Sequence, residues 1–223
     1  MVTPSFFRNF ALAGLLLCAL VGCGGLSLLD AEEAAIYDLS PKSTFDGDLP
    51  NVEAQLVIEE PTASSSIDTN RIAVRVGQFQ VSYIEGVRWS DRSTLMFQTR
   101  LIESFENSER ITAVGRKAIG LSGDYDLLTE LREFEAQEKE SGPPEVVVVV
   151  NAKLISQPRA QIEASETFRR RTTVSSERFE DIIGGYDDAL GGVMKRIVSW
   201  TLVEIEKAEQ RRMEVMDPLF SDQ

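Results

Sequence analysis

Side chains that could carry bond-making chemistry are scarce in this chain. Its 223 residues include no histidine, and its two cysteines, Cys18 and Cys23, both lie near the N-terminus. Ser-His and Cys-His nucleophile pairs and His-ligated metal centres are therefore excluded. So are a disulfide framework and a thiol site in the body of the protein. The 36 acidic residues could support acid–base chemistry, but none stands in a short motif of catalytic spacing, and most are expected as solvated surface. No Gly-x-x-x-x-Gly-Lys-Ser/Thr phosphate loop occurs. No catalytic residue, metal site or cofactor is expected. A net charge of −13 argues against nucleic acid, and against electrostatic docking to anionic lipid, since both select basic surfaces.

The chemistry that remains is modification of Cys23. Residues 1–22 carry one base, Arg8, and no acid; Phe10 to Val21 is an apolar run of signal-peptide length, too short to span a bilayer comfortably. It ends in Leu20-Val21-Gly22-Cys23, which resembles the bacterial lipobox. In that class the leader is cut before the cysteine, which carries the acyl chains. Two or three chains make attachment stable, because each buried methylene contributes about 0.8 kcal/mol. An ordinary signal peptide with a chance cysteine is the competing reading. Gly24 follows the cysteine where an inner-membrane retention signal would place Asp. For a Gram-negative source this implies the periplasmic face of the outer membrane.

A second stretch, Tyr83-Ile84-Glu85-Gly86-Val87-Arg88-Trp89-Ser90-Asp91-Arg92, reads as a strand end, a tight turn at Gly86 and a helix start. Asp91 is the expected N-cap. Behind it, Leu95, Phe97, Leu101, Ile102 and Phe105 share one face of a four-turn helix that stops near Asn107-Ser108. Two readings of the turn compete. In one, Trp89 is core and Asp91 a cap. In the other, Tyr83, Arg88, Trp89 and Arg92 form a partner contact, because aromatics and arginines are enriched at interfaces.

The other elements follow from pattern. Residues 23–35 are a tether. Ile36 to Leu39, Gln55 to Glu59, Arg71 to Val76, Gln78 to Ile84 and Arg110 to Gly115 read as strands around that helix. Asp124 to Glu135 is a long strand, with Tyr125, Leu127 and Leu131 on one face and Leu128 and Phe134 on the other. The run Val146 to Val150 fits a strand covered on both faces. Gln157-Pro158 turns it into Ala160 to Val174, where Ile162, Ala164 and Phe168 share a face. Arg169-Arg170-Arg171 is a basic cluster, either solvated or facing an anionic partner. A long helix runs from near Phe179 or Tyr186 to about Met213, and Gly184-Gly185 and Gly191-Gly192 are expected to break its first turns. The expected fold is one α/β (α+β) domain: a mixed β-sheet with two principal helices on one face, preceded by a lipoprotein signal peptide and tether.

With these segments in place, the chain resembles the ABC-type transport auxiliary lipoprotein family, which includes the paraquat-inducible-protein C-like lipoproteins. The landmarks are Cys23; Tyr37-Asp38-Leu39; Ile67-Asp68-Thr69-Asn70-Arg71-Ile72; Arg88-Trp89-Ser90-Asp91-Arg92; Phe105-Glu106-Asn107-Ser108; Tyr125-Asp126-Leu127 with Leu131-Arg132-Glu133-Phe134; Phe168; and Trp200. The resemblance implies a family domain over 36–208, followed by a charged tail over 209–223. It also implies a non-catalytic periplasmic accessory subunit working with an ABC permease, its ATPase and an MCE-domain protein to move lipids between the two membranes. Self-association as a homo-oligomer stays open. An outer-membrane scaffold or assembly lipoprotein without a transport role is the alternative.

Overall fold

A computed structural model describes residues 34–118 and 123–220, with side chains to Glu214. The leader, Cys23 and most of the tether lie outside the described residues.

The strands are β1 (Ala35–Tyr37), β2 (Val52–Ile58), β3 (Thr62–Ala63), β4 (Ala73–Val76), β5 (Gln80–Tyr83), β6 (Val87–Trp89), β7 (Ile111–Arg116), β8 (Tyr125–Gln137), β9 (Glu145–Ser156) and β10 (Gln161–Thr173). The helices are α1 (Ser93–Ser108) and α2 (Phe179–Phe220). An eight-stranded sheet runs β10-β9-β8-β2-β7. Along its far edge β8 is long enough to pair in parallel with β2, then β3, then β4. β5 folds back on β4, and β8, β9 and β10 form an antiparallel meander. β1 pairs in parallel with β6 in a separate two-stranded ribbon.

This is the expected mixed sheet with two helices on one face. Phe97, Leu101 and Phe105 of α1 and Leu190, Met194, Ile197 and Leu202 of α2 are buried with Leu56, Leu127, Leu131, Val148 and Leu154 of the sheet in one core. The helices touch directly: Ser104 Oγ lies 3.7 Å from Met194 Sδ.

Two side chains sit on the face opposite to the one strict alternation assigns. β8 carries a bulge between Leu131 and Glu133, which leaves Arg132 unpaired. One extra residue shifts the phase of everything after it, so Phe134 turns into the core rather than joining Leu128 outside. A second bulge, between Ile162 and Ala164 of β10, places Ala164 opposite core Leu154 and turns Ile162 out to solvent. The expected face shared by Ile162, Ala164 and Phe168 is thus broken at its first member.

α2 is also unbroken at its glycines. A Cβ on Gly185 would lie 2.5 Å from Val174 Cγ1 and 3.0 Å from Val146 Cγ2, and one on Gly192 would collide with Arg170. These glycines let the helix backbone approach β9 and β10, and the tertiary packing outweighs their poor helix propensity. The valine run lies under cover on both sides. Val146, Val148 and Val150 face the helices. Val147 and Val149 face outward, yet are buried beneath long polar side chains of β8 and β10.

Candidate partner-contact site

The turn from Tyr83 to Arg92 is positioned by two strands and a loop. Gly86, at φ +72°, reverses the chain after β5. The Ala35 N–H donates to the Gly86 carbonyl at 2.9 Å, which starts the β1–β6 ribbon. Strand alternation then decides the side chains. Val87 and Trp89 point inward, and Arg88 between them points to solvent. Of the four sequence-selected residues, Arg88 alone is exposed.

Trp89 is 1% exposed. Its ring lies 5.1 Å from Tyr186 and 5.6 Å from Phe134, in an aromatic cluster that closes β6 against β8 and α2. The Tyr186 hydroxyl donates to the Ala73 carbonyl at 2.7 Å, and burial raises its pKa. Trp89 is therefore core, and its part in a surface contact is corrected. Tyr83 is half-buried: the Arg71 guanidinium stacks 3.6 Å over its ring, and its hydroxyl donates to the Ser66 carbonyl.

Arg92 is held by two carboxylates. Nη1 donates to Asp68 Oδ2 at 2.7 Å and Nη2 to Glu60 Oε1 at 2.6 Å. The hydrogen bond to Glu60, with Asp68 beside it, raises the Arg92 pKa. Asp68 also accepts from Thr94 Oγ1 at 2.6 Å, so its charge stands at the start of α1, where the helix dipole favours an anion.

The expected N-cap is corrected accordingly. Asp91 accepts only from the adjacent Arg92 N–H, and the residue flanking the helix is Arg92, with no side-chain cap. The anion comes from a loop 23 residues earlier, a distance that no local capping pattern reveals. At the other end, Glu109 rather than Asn107-Ser108 takes the left-handed position, at φ 53°. The loop also accepts backbone donors from the turn: Trp89 N–H donates to Asn70 O at 2.8 Å and Ser93 N–H to Thr69 O at 3.1 Å. The segments Ile67–Arg71 and Arg88–Arg92 are thus two halves of one stitched corner.

The basic cluster of β10 is neutralised by its neighbours. Arg169 pairs with Glu133 at 2.9 Å, Arg170 with Asp188 at 2.8 Å and Arg171 with Glu145 at 3.0 Å. The hydrogen bond from Arg171 lowers the pKa of Glu145, and that from Arg170 lowers the pKa of Asp188.

Sequence reasoning missed one surface. Phe79, assigned to the strand after Gly77, lies in the β4–β5 turn and is 87% exposed. Gly77 at φ +60° and the polar neighbours Gln78 and Gln80 are the signals of a tip. Between β4, the end of β8 and the start of α2 opens a cleft of about 470 Å³, lined by Val74, Ile84, Ala136, Phe179 and Ile182 and rimmed by Glu138, Lys139 and Glu177. Among the described residues, no helix is long and apolar enough to cross a membrane.

Comparison with known proteins gives a consistent result. The chain is similar to protein XCC0632 of Xanthomonas campestris, whose crystal structure superposes with a TM-score of 0.75 at 29% identity, covering 79% of this chain and 99% of that one. It is also similar to an uncharacterised protein of solved structure, at a TM-score of 0.59 and 12% identity, covering 74% and 96% of the two chains. Among curated sequences it is 25% identical over 174 residues to the uncharacterised protein bll6063 of Bradyrhizobium diazoefficiens, covering 76% of this chain but only 45% of that relative's length. The sequence model of the ABC-type transport auxiliary lipoprotein component family matches residues 37–198. That match spans β1 to the middle of α2 and includes the stitched corner, so the chain belongs to the ABC-type transport auxiliary lipoprotein component family.

Proposed function

We propose that the protein is the lipid-anchored accessory subunit of an MCE-type ABC transporter that moves lipids between the inner and outer membranes. It is held by acyl chains on Cys23 at the periplasmic face of the outer membrane. The observation that carries this reading is the family match over residues 37–198. The lipobox-like Leu20-Val21-Gly22-Cys23 supplies the anchor. The protein binds rather than catalyses: an anchor confines the domain to a membrane, where even modest affinity for a partner is raised by local concentration.

The test is affinity purification from detergent-solubilised envelopes, with identification of the copurifying proteins and lipids. MCE-domain protein, permease and ATPase are expected with the wild type. Cys23→Ser is expected to leave an uncut, unacylated precursor that takes up no radiolabelled fatty acid. Copurification with envelope-assembly proteins alone would instead favour a scaffold.

A further inference from the structure

We infer that the pole of the domain bearing the β4–β5 tip is pressed against the membrane, with Phe79 inserted among the lipids. This rests on the reading of Cys23 as the acylated residue.

Several elements meet at that pole. The chain enters the domain at Ala34, and Ala35 is bonded to Gly86, just past the Ala73–Tyr83 base of the β4–β5 hairpin whose other end is the tip. β4 runs parallel to the end of β8, with Arg75 opposite Gln137, so the tip at Gly77–Phe79 stands beyond the last residues of β8. The Glu138 N–H donates to the Arg75 carbonyl at 3.1 Å, which brings in the 138–144 loop. The start of α2 joins them, because the Tyr37 ring packs 4.8 Å from Phe179. Phe79, at 87%, is the most exposed of the large apolar side chains among the described residues, and Ile36, at 57%, lies at the chain entry; Ile162 and Met213, comparably exposed to Ile36, lie toward the other end. The cleft beside Phe179, part apolar and part charged, opens between the segments that meet at this pole.

The length of the tether restricts the orientation. The segment from Cys23 to Ala34 reaches at most about 40 Å when fully extended. The opposite pole, at the β9–β10 turn near Ala208, lies about 45 Å further along α2 at 1.5 Å per residue. Standing the domain on that pole would therefore draw the tether out to the limit of its reach. Resting it on the Phe79 pole leaves only about the length of the short β4–β5 hairpin to span, well within that reach.

Composition indicates the kind of contact. The exposed groups beside the tip carry both signs, Lys139 and Arg178 alongside Glu138, Glu140 and Glu177. Attraction to anionic headgroups is thus balanced by repulsion, and burial of an aromatic side chain at the interface supplies the contact. The contact is expected to be insensitive to salt and to the fraction of anionic lipid.

The experiment uses the full mature chain, acylated at Cys23 and reconstituted into phosphatidylcholine–phosphatidylethanolamine vesicles. The described domain has no cysteine, so Gln78→Cys and, at the opposite pole, Arg159→Cys each accept one environment-sensitive fluorophore. The expected result is blue-shifted emission and several-fold weaker iodide quenching at position 78 than at 159. Adding Phe79→Glu to the Gln78→Cys protein should abolish that protection. Phe79 makes no buried contact, so folding is not at stake. Equal quenching at both positions in protein that floats with the vesicles overturns the inference and leaves the anchor intact. Protection at 78 that appears only when the copurified transporter proteins are added also overturns it, since the tip would then be a protein contact. Failure of the wild type to float overturns the anchor, and the inference with it.

Discussion

Arg75 grips Glu135 bidentately across neighbouring strands, with Nε and Nη2 on one guanidinium edge each donating to one carboxylate oxygen, and Glu135 is 1% exposed. The hydrogen bond raises the Arg75 pKa. Gln137 donates to Glu135 at 3.1 Å and accepts from Arg171, which in turn pairs with Glu145. This chain of polar groups covers outward-facing Val147. A strand that reads as wholly apolar can thus lie on the open face of a sheet.

Removing one member of such a pair strands the other. Arg75→Met is expected to lower stability by about 3 kcal/mol, because a buried carboxylate is left without its countercharge. The double variant Arg75→Met/Glu135→Leu is expected to recover most of that loss, because no buried charge remains. Urea denaturation of the two variants checks this. Equal stabilities would mean that Glu135 is solvated once Arg75 is gone.

The start of α1 gives a contrast between two aspartates. Asp68 receives bonds from Arg92 and Thr94, whereas Asp91 bonds only its own neighbour. Asp68→Ala is expected to cost about 1–2 kcal/mol, the range of losing an anionic partner at a helix start. Asp91→Ala, an exposed change without a cap to lose, should stay within about 0.5 kcal/mol. Thermal melts of the pair decide it, and the reverse order would restore Asp91 as the cap.

The same comparison applies to adjacent glycines. A Cβ on Gly184 meets nothing within 4 Å, whereas one on Gly185 runs into Val174 and Val146. Gly184→Ala is expected to stabilise the protein by about 0.5–1 kcal/mol through helix propensity. Gly185→Ala is expected to destabilise it by about 1–3 kcal/mol, the cost of overpacking a strand that cannot move away. Denaturant midpoints of opposite sign are the expected readout.

What the sequence made legible depended on how local the cause was. Periodicity placed α1, the long strands and the valine run, because burial of one face is written into neighbouring residues. The face of Phe134 was not legible, since it depends on a bulge at Arg132 that no residue type announces. The continuity of α2 through its glycines was hidden for a similar reason: their role is set by Val174 and Arg170 on other elements. At the corner, the types of Tyr83, Trp89 and Arg92 suggested an interface. Whether an aromatic or an arginine faces a partner or the protein itself depends on residues far away in sequence, here Tyr186, Glu60 and Asp68.

The corner therefore makes two separable predictions about its arginines. Arg88 projects to solvent from β6, between inward-facing Val87 and Trp89. Arg92 closes the loop of Asp68 onto α1. Arg88→Glu reverses a charge without touching the core, so stability should change by less than about 0.5 kcal/mol. If this edge meets the MCE-domain protein, copurification should fall, because reversing a rim charge acts on encounter and specificity. Arg92→Glu places a third carboxylate beside Asp68 and Glu60. It is expected to lower the melting temperature and loosen the corner, and any loss of copurification would follow from that. Measuring both variants by melting and by copurification separates the roles. An Arg88→Glu protein that melts like the wild type and still copurifies fully would move the contact away from this edge. An Arg92→Glu protein that melts like the wild type would show that the two carboxylates do not need their arginine.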